Sequence, residues 1–97
     1  MIIVHDIFVC KPGNASKMAK LFKEIMVDNK EFVNVMTDMT GQFNRVIMVS
    51  KYENLTAYEE TFKTHMENTE EMKKMQEKMK GYTDMYLTGS REIYQVW

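Results

Sequence analysis

The chain has 97 residues, of which 44% are hydrophobic and 28% charged, with a formal net charge of −1. A chain of this length forms one domain, here residues 1–97, with a thin core, since it buries roughly 60–65% of its unfolded surface. The near-neutral charge argues against nucleic acid as a partner, and no apolar run approaches the ~20 residues that span a bilayer.

The first predicted element is a strand over residues 2–10, which are mostly β-branched or aromatic. Both of its faces are largely apolar, so neither is predicted to face water. Residues 11–14 contain Pro12 and Gly13 and end the strand. Residues 15–28 follow with apolar side chains at helical spacing, and Asn14 is the predicted N-cap.

A hairpin and a long helix come next. Residues 32–39 and 44–52 alternate around a turn that contains Gly41, as hairpin strands do. Residues 54–80 carry an apolar stripe at helical spacing, with Asn54 or Thr56 as the cap. Gly81 is predicted to end this helix.

The last predicted strand covers residues 84–97, with a bulge or kink at residues 88–90. The order β-α-β-β-α-β predicts an α+β, ferredoxin-like domain with two helices on one face of a four-stranded antiparallel sheet. Two helices leave the other apolar face uncovered. We therefore expect a homodimer in which two sheets pack face to face and close an α/β barrel.

Three stretches carry a resemblance to a known superfamily. They are Lys-Pro-Gly-Asn-Ala-Ser-Lys-Met-Ala-Lys-Leu-Phe (11–22), Lys-Tyr-Glu-Asn-Leu-Thr-Ala-Tyr-Glu-Glu (51–60) and Ser-Arg-Glu-Ile-Tyr-Gln-Val-Trp (90–97). In these the chain resembles the dimeric α/β-barrel superfamily, which includes antibiotic-biosynthesis-type monooxygenases and NIPSNAP-like proteins. The last strand looks more NIPSNAP-like. The resemblance implies a homodimer with a cleft between each sheet and its own helices.

Candidate bases are His5, Asp6 and His65. A histidine in a cleft acts as a general base near neutral pH, although the same residue also occurs as a hydrogen-bonded core or strand-end group. His5 and Asp6 point to opposite faces of the first strand, so they cannot form a catalytic pair with each other. His65 lies about one turn from Tyr58 and Phe62, two residues that would form aromatic walls for a planar ligand.

Candidate anion-stabilising and ligand-binding residues lie on the strands, at Arg45, Arg91 and Trp97. An arginine in a low-dielectric cleft stabilises an enolate or phenolate. The alternative is a surface arginine in each case and a tryptophan that holds the C-terminus at the dimer seam.

Other chemistries have less support in the sequence. Met72, Met75 and Met79 share a helical face and have the softness that Cu(I) prefers, but such a stripe also fills a core. Haem degradation, known in this superfamily, is disfavoured because Asp6, Thr61 and Glu71 occupy the positions of its asparagine, tryptophan and histidine. The chain has one cysteine, Cys10, two histidines and no GxGxxG run, so we expect neither zinc nor a nicotinamide or flavin cofactor.

Three functions remain open. The first is a cofactor-independent monooxygenase that acts on a planar aromatic or phenolic compound, and the second is a non-catalytic NIPSNAP-like ligand-binding or stress-response module. The third is a purely structural interaction protein. The single cysteine fits a reducing compartment, and Met1–Asp6 lacks the basic region of a signal peptide. The predicted location is therefore the cytoplasm.

Overall fold

The computed structural model describes residues 1–41, 43–66 and 70–97, without the side chains of residues 65, 66, 71 and 72. The strands are β1 (Ile2–Cys10), β2 (Phe32–Thr37), β3 (Arg45–Tyr52) and β4 (Tyr86–Gln95). The helices are α1 (Ala15–Met26), α2 (Leu55–Met66) and α3 (Glu70–Lys78).

The four strands form one antiparallel sheet in the order β2-β3-β1-β4. The first and last strands therefore lie side by side, although almost the whole chain separates them. This arrangement confirms the predicted ferredoxin-like α+β fold. Because β1 is central, its residues face partners on both neighbouring strands.

The core lies between the sheet and the helices. Val46 of β3 and Met18 of α1 are both fully buried, and Phe22 of α1 and Cys10 of β1 are almost so. The Cys10 thiol lies 3.5 Å from the Met18 sulfur. Burial raises the pKa of this thiol, so it behaves as a small apolar side chain and not as a nucleophile.

The opposite face of the sheet is less covered. Ile3, His5 and Ile7 of β1 and Ile47 of β3 are partly exposed there, and register pairs Ile7 directly with Ile47. This surface, which we call the uncovered face, is apolar at its centre, as predicted from the alternation of β1.

The region from residue 54 to residue 80, predicted as one helix, is largely helical in its described part. It contains α2 and α3, and residues 67–69 lie outside the described residues. Its N-terminus is capped as predicted, since the Asn54 side-chain oxygen accepts a hydrogen bond of 2.8 Å from the Ala57 N–H. Gly81 follows the α3 end with a φ of 88°, a conformation that glycine adopts without a steric penalty. At α1, the Asn14 side chain makes no capping hydrogen bond.

The irregularity predicted at residues 88–90 lies one residue earlier on the same strand. Residues 88–90 pair continuously with β1, but Val9 pairs with Thr88 and Cys10 pairs with Tyr86, so Leu87 is an extra residue on β4. A Cβ at Gly89 would lie 3.4 Å from the Ile7 carbonyl oxygen and 3.7 Å from the Phe8 ring, which are ordinary contact distances. Residues 82–84, part of which was predicted as strand, form a short 3₁₀ turn.

Within the described residues, no helix is both long and apolar enough to cross a membrane.

Candidate functional site

A cleft of about 190 Å³ lies between the sheet and the three helices. Its polar groups come from the strands and from α2, whereas α1 and α3 contribute only apolar side chains. Its lining residues are Asp6, Phe22, Ile25, Met26, Met48, Ser50, Tyr52, Tyr58, Phe62, Met75, Met79 and Arg91. The cleft is therefore amphipathic, with one polar wall and one apolar wall.

An ion pair between Asp6 and Arg91 forms the charged centre of the cleft. The two residues are directly opposite each other on β1 and β4, so their side chains leave the sheet on the same face. The Arg91 Nε–H donates a hydrogen bond of 2.5 Å to Asp6 Oδ1. This bond raises the pKa of Arg91, and burial lowers it by less, so the guanidinium stays charged.

Two aromatic rings of α2 flank this arginine. Tyr58 and Phe62 are four residues apart on one face of the helix, and the Arg91 guanidinium carbon lies 5.8 Å and 5.7 Å from their ring centroids. Contacts of this length between a cation and an aromatic face are attractive. The rings and the guanidinium therefore form a surface against which a flat molecule can pack.

Tyr52 extends this aromatic wall. Its ring meets that of Tyr58 edge-to-face, with 5.2 Å between the centroids. Burial is the main cause that raises the pKa of both tyrosines, and Arg91 partly opposes the rise at Tyr58. Both hydroxyls are consequently neutral near physiological pH and act as hydrogen-bond donors, not as bases.

The structure brings together four of the residues predicted from the sequence: Asp6, Tyr58, Phe62 and Arg91. It separates three others from them. His5 lies on the uncovered face, where its ring meets that of Tyr94 at 5.2 Å between centroids.

Arg45 also lies on the uncovered face, opposite Val9. Its backbone N–H donates a 2.6 Å hydrogen bond to Asp38 Oδ1, and its buried Nε has no hydrogen-bond partner among the described residues. Trp97 is fully exposed at the end of the chain. The side chain of His65, like that of Met72, lies outside the described residues.

Sequence reasoning missed the part that β3 and α1 play in the cleft. Met48 and Ser50 pair with Asp6 and Val4, so they share the helix-covered face with Asp6. The alternation of β3 groups Met48, Ser50 and Tyr52 on one side, but only the register assigns that side to the cleft. Phe22 and Met26 belong to the apolar stripe of α1, which already indicated a buried face.

Among the described residues, no three histidine, cysteine, aspartate or glutamate side chains come together in a way that would hold a metal ion. Of the methionines whose side chains are described, four line the cleft: Met26, Met48, Met75 and Met79. Their flexible, polarisable side chains suit contact with an aromatic ring and adapt to its shape.

No family model and no curated protein sequence matches this chain. Solved structures do match it. An uncharacterized NIPSNAP domain protein from Burkholderia xenovorans superposes with a TM-score of 0.79 at 9% identity, over 100% of this chain and 95% of that one. A NIPSNAP family protein from Agrobacterium tumefaciens gives 0.75 at 15% identity, over 97% and 90% of the two chains. The chain shares the ferredoxin-like fold of these NIPSNAP proteins.

A more distant match is a candidate antibiotic biosynthesis monooxygenase from Deinococcus radiodurans. Its TM-score is 0.61 at 13% identity, over 100% of this chain and 93% of that one. The resemblance inferred from the sequence is thus confirmed for the fold, and the NIPSNAP structures superpose better than this monooxygenase. At these identities the matches establish the fold alone.

Proposed function

We propose that this chain is a homodimeric small-molecule-binding protein whose cleft takes a planar aromatic ligand with a weakly acidic group. The observation that carries the proposal is the Asp6–Arg91 pair inside a cleft whose wall is formed by Tyr58 and Phe62. A cavity with an apolar lining and a few convergent polar groups is the usual form of a ligand site.

The size of the cleft limits the ligand. A cavity of roughly 150 Å³ is large enough to hold benzene, so one of about 190 Å³ fits a single substituted ring better than a polycyclic one. Tyr58 and Phe62 would stack on the ring, and Arg91 would meet its acidic group.

The uncovered face supports the homodimer. Ile3, Ile7 and Ile47 lie there with partial exposure, and no described helix packs over them. A second copy would bury this face sheet against sheet. The assembly would leave both clefts intact, since each lies on the helix-covered side.

Cofactor-independent oxygenation is a second candidate, favoured by a carboxylate and a guanidinium at the same site and by the fold of the Deinococcus protein. In this reaction Asp6 accepts the phenol proton and Arg91 stabilises the phenolate. Dioxygen is the oxidant: an electron-rich phenol with a free para position and O₂ give a para-quinone and water. Non-catalytic binding is favoured by the better superposition on NIPSNAP proteins.

Binding is tested by ligand-observed NMR with phenol as the probe. Phe62→Ala should weaken binding about tenfold, because an aromatic contact and buried apolar area are lost. Phe43→Ala is the matched control, since Phe43 is exposed at the tip of the β2–β3 hairpin. Equal binding by both variants, or no binding by the unaltered protein, would reject the proposal.

Oxygenation is tested with 2-methoxyphenol in an oxygen electrode. Uptake of one O₂ for each 2-methoxy-para-quinone formed, lost in Asp6→Asn, would support the oxygenase. Binding without oxygen uptake would leave the non-catalytic module as the function.

A further inference from the structure

We infer that the ligand of this cleft is a single-ring aromatic carboxylate, held with its carboxylate outward on Arg91 and its ring inward. The inference rests on the proposed function and specifies the chemical class of ligand. It follows from the free donors of Arg91, from its position at the mouth, and from the distribution of polar groups in the cleft.

The first step concerns the donors. Within the described part of the chain, the one hydrogen bond of the Arg91 guanidinium runs from Nε to Asp6 Oδ1. This leaves the terminal Nη1 and Nη2 groups for a ligand. Their two parallel N–H bonds match the two oxygens of a carboxylate, whereas a phenolate offers one oxygen. The free end of the arginine thus favours a carboxylate.

The second step concerns direction. The Arg91 side chain is 48% exposed and that of Asp6 is 16% exposed, so the cation is the outer member of the pair. Arg91 lines the inner cleft and also an outer hollow of about 250 Å³. A ligand that arrives through this hollow meets the guanidinium first. The hollow also contains Lys63 and Glu59, whose charges offset each other, so Arg91 is its remaining cation, paired with Asp6 deeper in the cleft.

The third step concerns the ring. The cleft wall away from the ion pair carries Phe22, Ile25 and Met26 from α1, with Met75 from α3 and Met79 directly after that helix. These groups offer a ring apolar and thioether contacts but no donor for a second charged group. The ring therefore points toward α1 and α3, and the carboxylate stays at the mouth.

The ion pair itself gives a directional test. Asp6 and a ligand carboxylate compete for the same guanidinium, so loss of the Asp6 charge should favour the ligand. Loss of the Arg91 charge should disfavour it. A pair that merely holds β1 and β4 together would make both changes act in the same direction.

The experiment compares benzoate with benzamide, its neutral counterpart of nearly equal shape, by ligand-observed NMR. We expect benzoate to bind roughly tenfold more tightly, as a charge-assisted pair would provide. Arg91→Gln should abolish this preference, and Asp6→Asn should keep or increase it. Lys17→Gln, an exposed charge change on α1, is the control that should change nothing. If Arg91→Gln alone fails to fold, the D6N/R91Q double variant replaces it, because it leaves no unpaired charge. Ligand binding by the double variant then measures what the ring contacts contribute without the ion pair.

The outcomes separate the two proposals. Equal binding of benzoate and benzamide, with a loss of both in Phe62→Ala, would overturn the carboxylate inference and retain an aromatic ligand. Loss of the benzoate preference in Asp6→Asn as well as in Arg91→Gln would assign the pair a structural role and also overturn it. Failure of phenol, benzoate and benzamide to bind would overturn both proposals.

Discussion

The two faces of the sheet are built from the same strands and differ in what covers them. On β1, Asp6 and Phe8 point toward the helices, whereas His5 and Ile7 point to the uncovered face. Each face places an aromatic side chain against a basic one: His5 meets Tyr94, and Arg91 meets Tyr58. Only the contact between Arg91 and Tyr58 lies between two layers, with the sheet on one side and the helices on the other. A cleft therefore depends on the covering helices and not on the residue types alone.

The comparison also explains why two similar arginines have different surroundings. Arg91 enters the helix-covered face and finds a carboxylate and two aromatic rings. Arg45 enters the other face at the start of β3, beside the hairpin loop that contains Asp38. In the sequence, Arg45 and Arg91 have the same charge and both lie in predicted strands. They differ in the face of the sheet that they enter and in the residues that the strand register places opposite them.

The largest effect is expected from a charge on the uncovered face. Ile7→Glu should convert the proposed dimer to monomers, because an unpaired buried charge costs roughly 3–5 kcal/mol and twofold symmetry places two such charges in the interface. Light scattering after size-exclusion chromatography measures the mass. Val27→Glu, at a position that is 65% exposed at the end of α1, should leave it unchanged. A monomeric unaltered protein, or a dimeric Ile7→Glu variant, would contradict the homodimer.

An effect of intermediate size is expected in the covered core. Met18→Ala removes a side chain with no exposed surface beneath α1 and should lower the free energy of unfolding by about 2–5 kcal/mol through lost burial and a cavity. Urea denaturation gives the value. Met39→Ala, where the side chain is 97% exposed, should change it by less than about 0.5 kcal/mol. Equal losses would mean that α1 does not cover the sheet as described.

The smallest effect concerns the tyrosines of the cleft. Burial raises the pKa of Tyr58 above its unfolded value, so the neutral hydroxyl stabilises the fold fully below about pH 10. This stability is lost as the pH rises through the folded-state pKa.

Tyr58→Phe removes the ionisable hydroxyl. Between about pH 8 and pH 11, the free energy of unfolding obtained from urea denaturation should therefore fall less in this variant than in the unaltered protein. The difference should stay well under about 1 kcal/mol because the group is partly hydrated. Equal pH dependence in the two proteins would show that the Tyr58 hydroxyl is as accessible to water as in the unfolded chain.

Much of the architecture follows from local sequence patterns. The alternation of β1 correctly separates Asp6 from His5, and the helical stripe places Tyr58 and Phe62 on one side of α2. These predictions succeed because side-chain direction depends on backbone period, which is a local property. The bulge expected at residues 88–90 occurs instead at Leu87, because the position of an extra residue depends on how β4 pairs with β1 and not on the glycine signal alone.

The candidate site could be predicted only in part. The sequence supplied Asp6 and Arg91 as separate candidates, 85 positions apart, and gave no reason to pair them or to prefer Arg91 over Arg45. Their pairing depends on the register between β1 and β4, which a shift of one residue would reverse by moving one side chain to the opposite face.

By itself, the sequence determined the order of the elements, the two apolar faces of β1 and the aromatic stripe of α2, because each arises from residues close together in the chain. The tertiary structure decided which face became the cleft, which arginine met Asp6, and that β3 and α1 complete the lining. Those features require contacts between distant segments, and such contacts are set by strand register and helix packing, which no local pattern encodes.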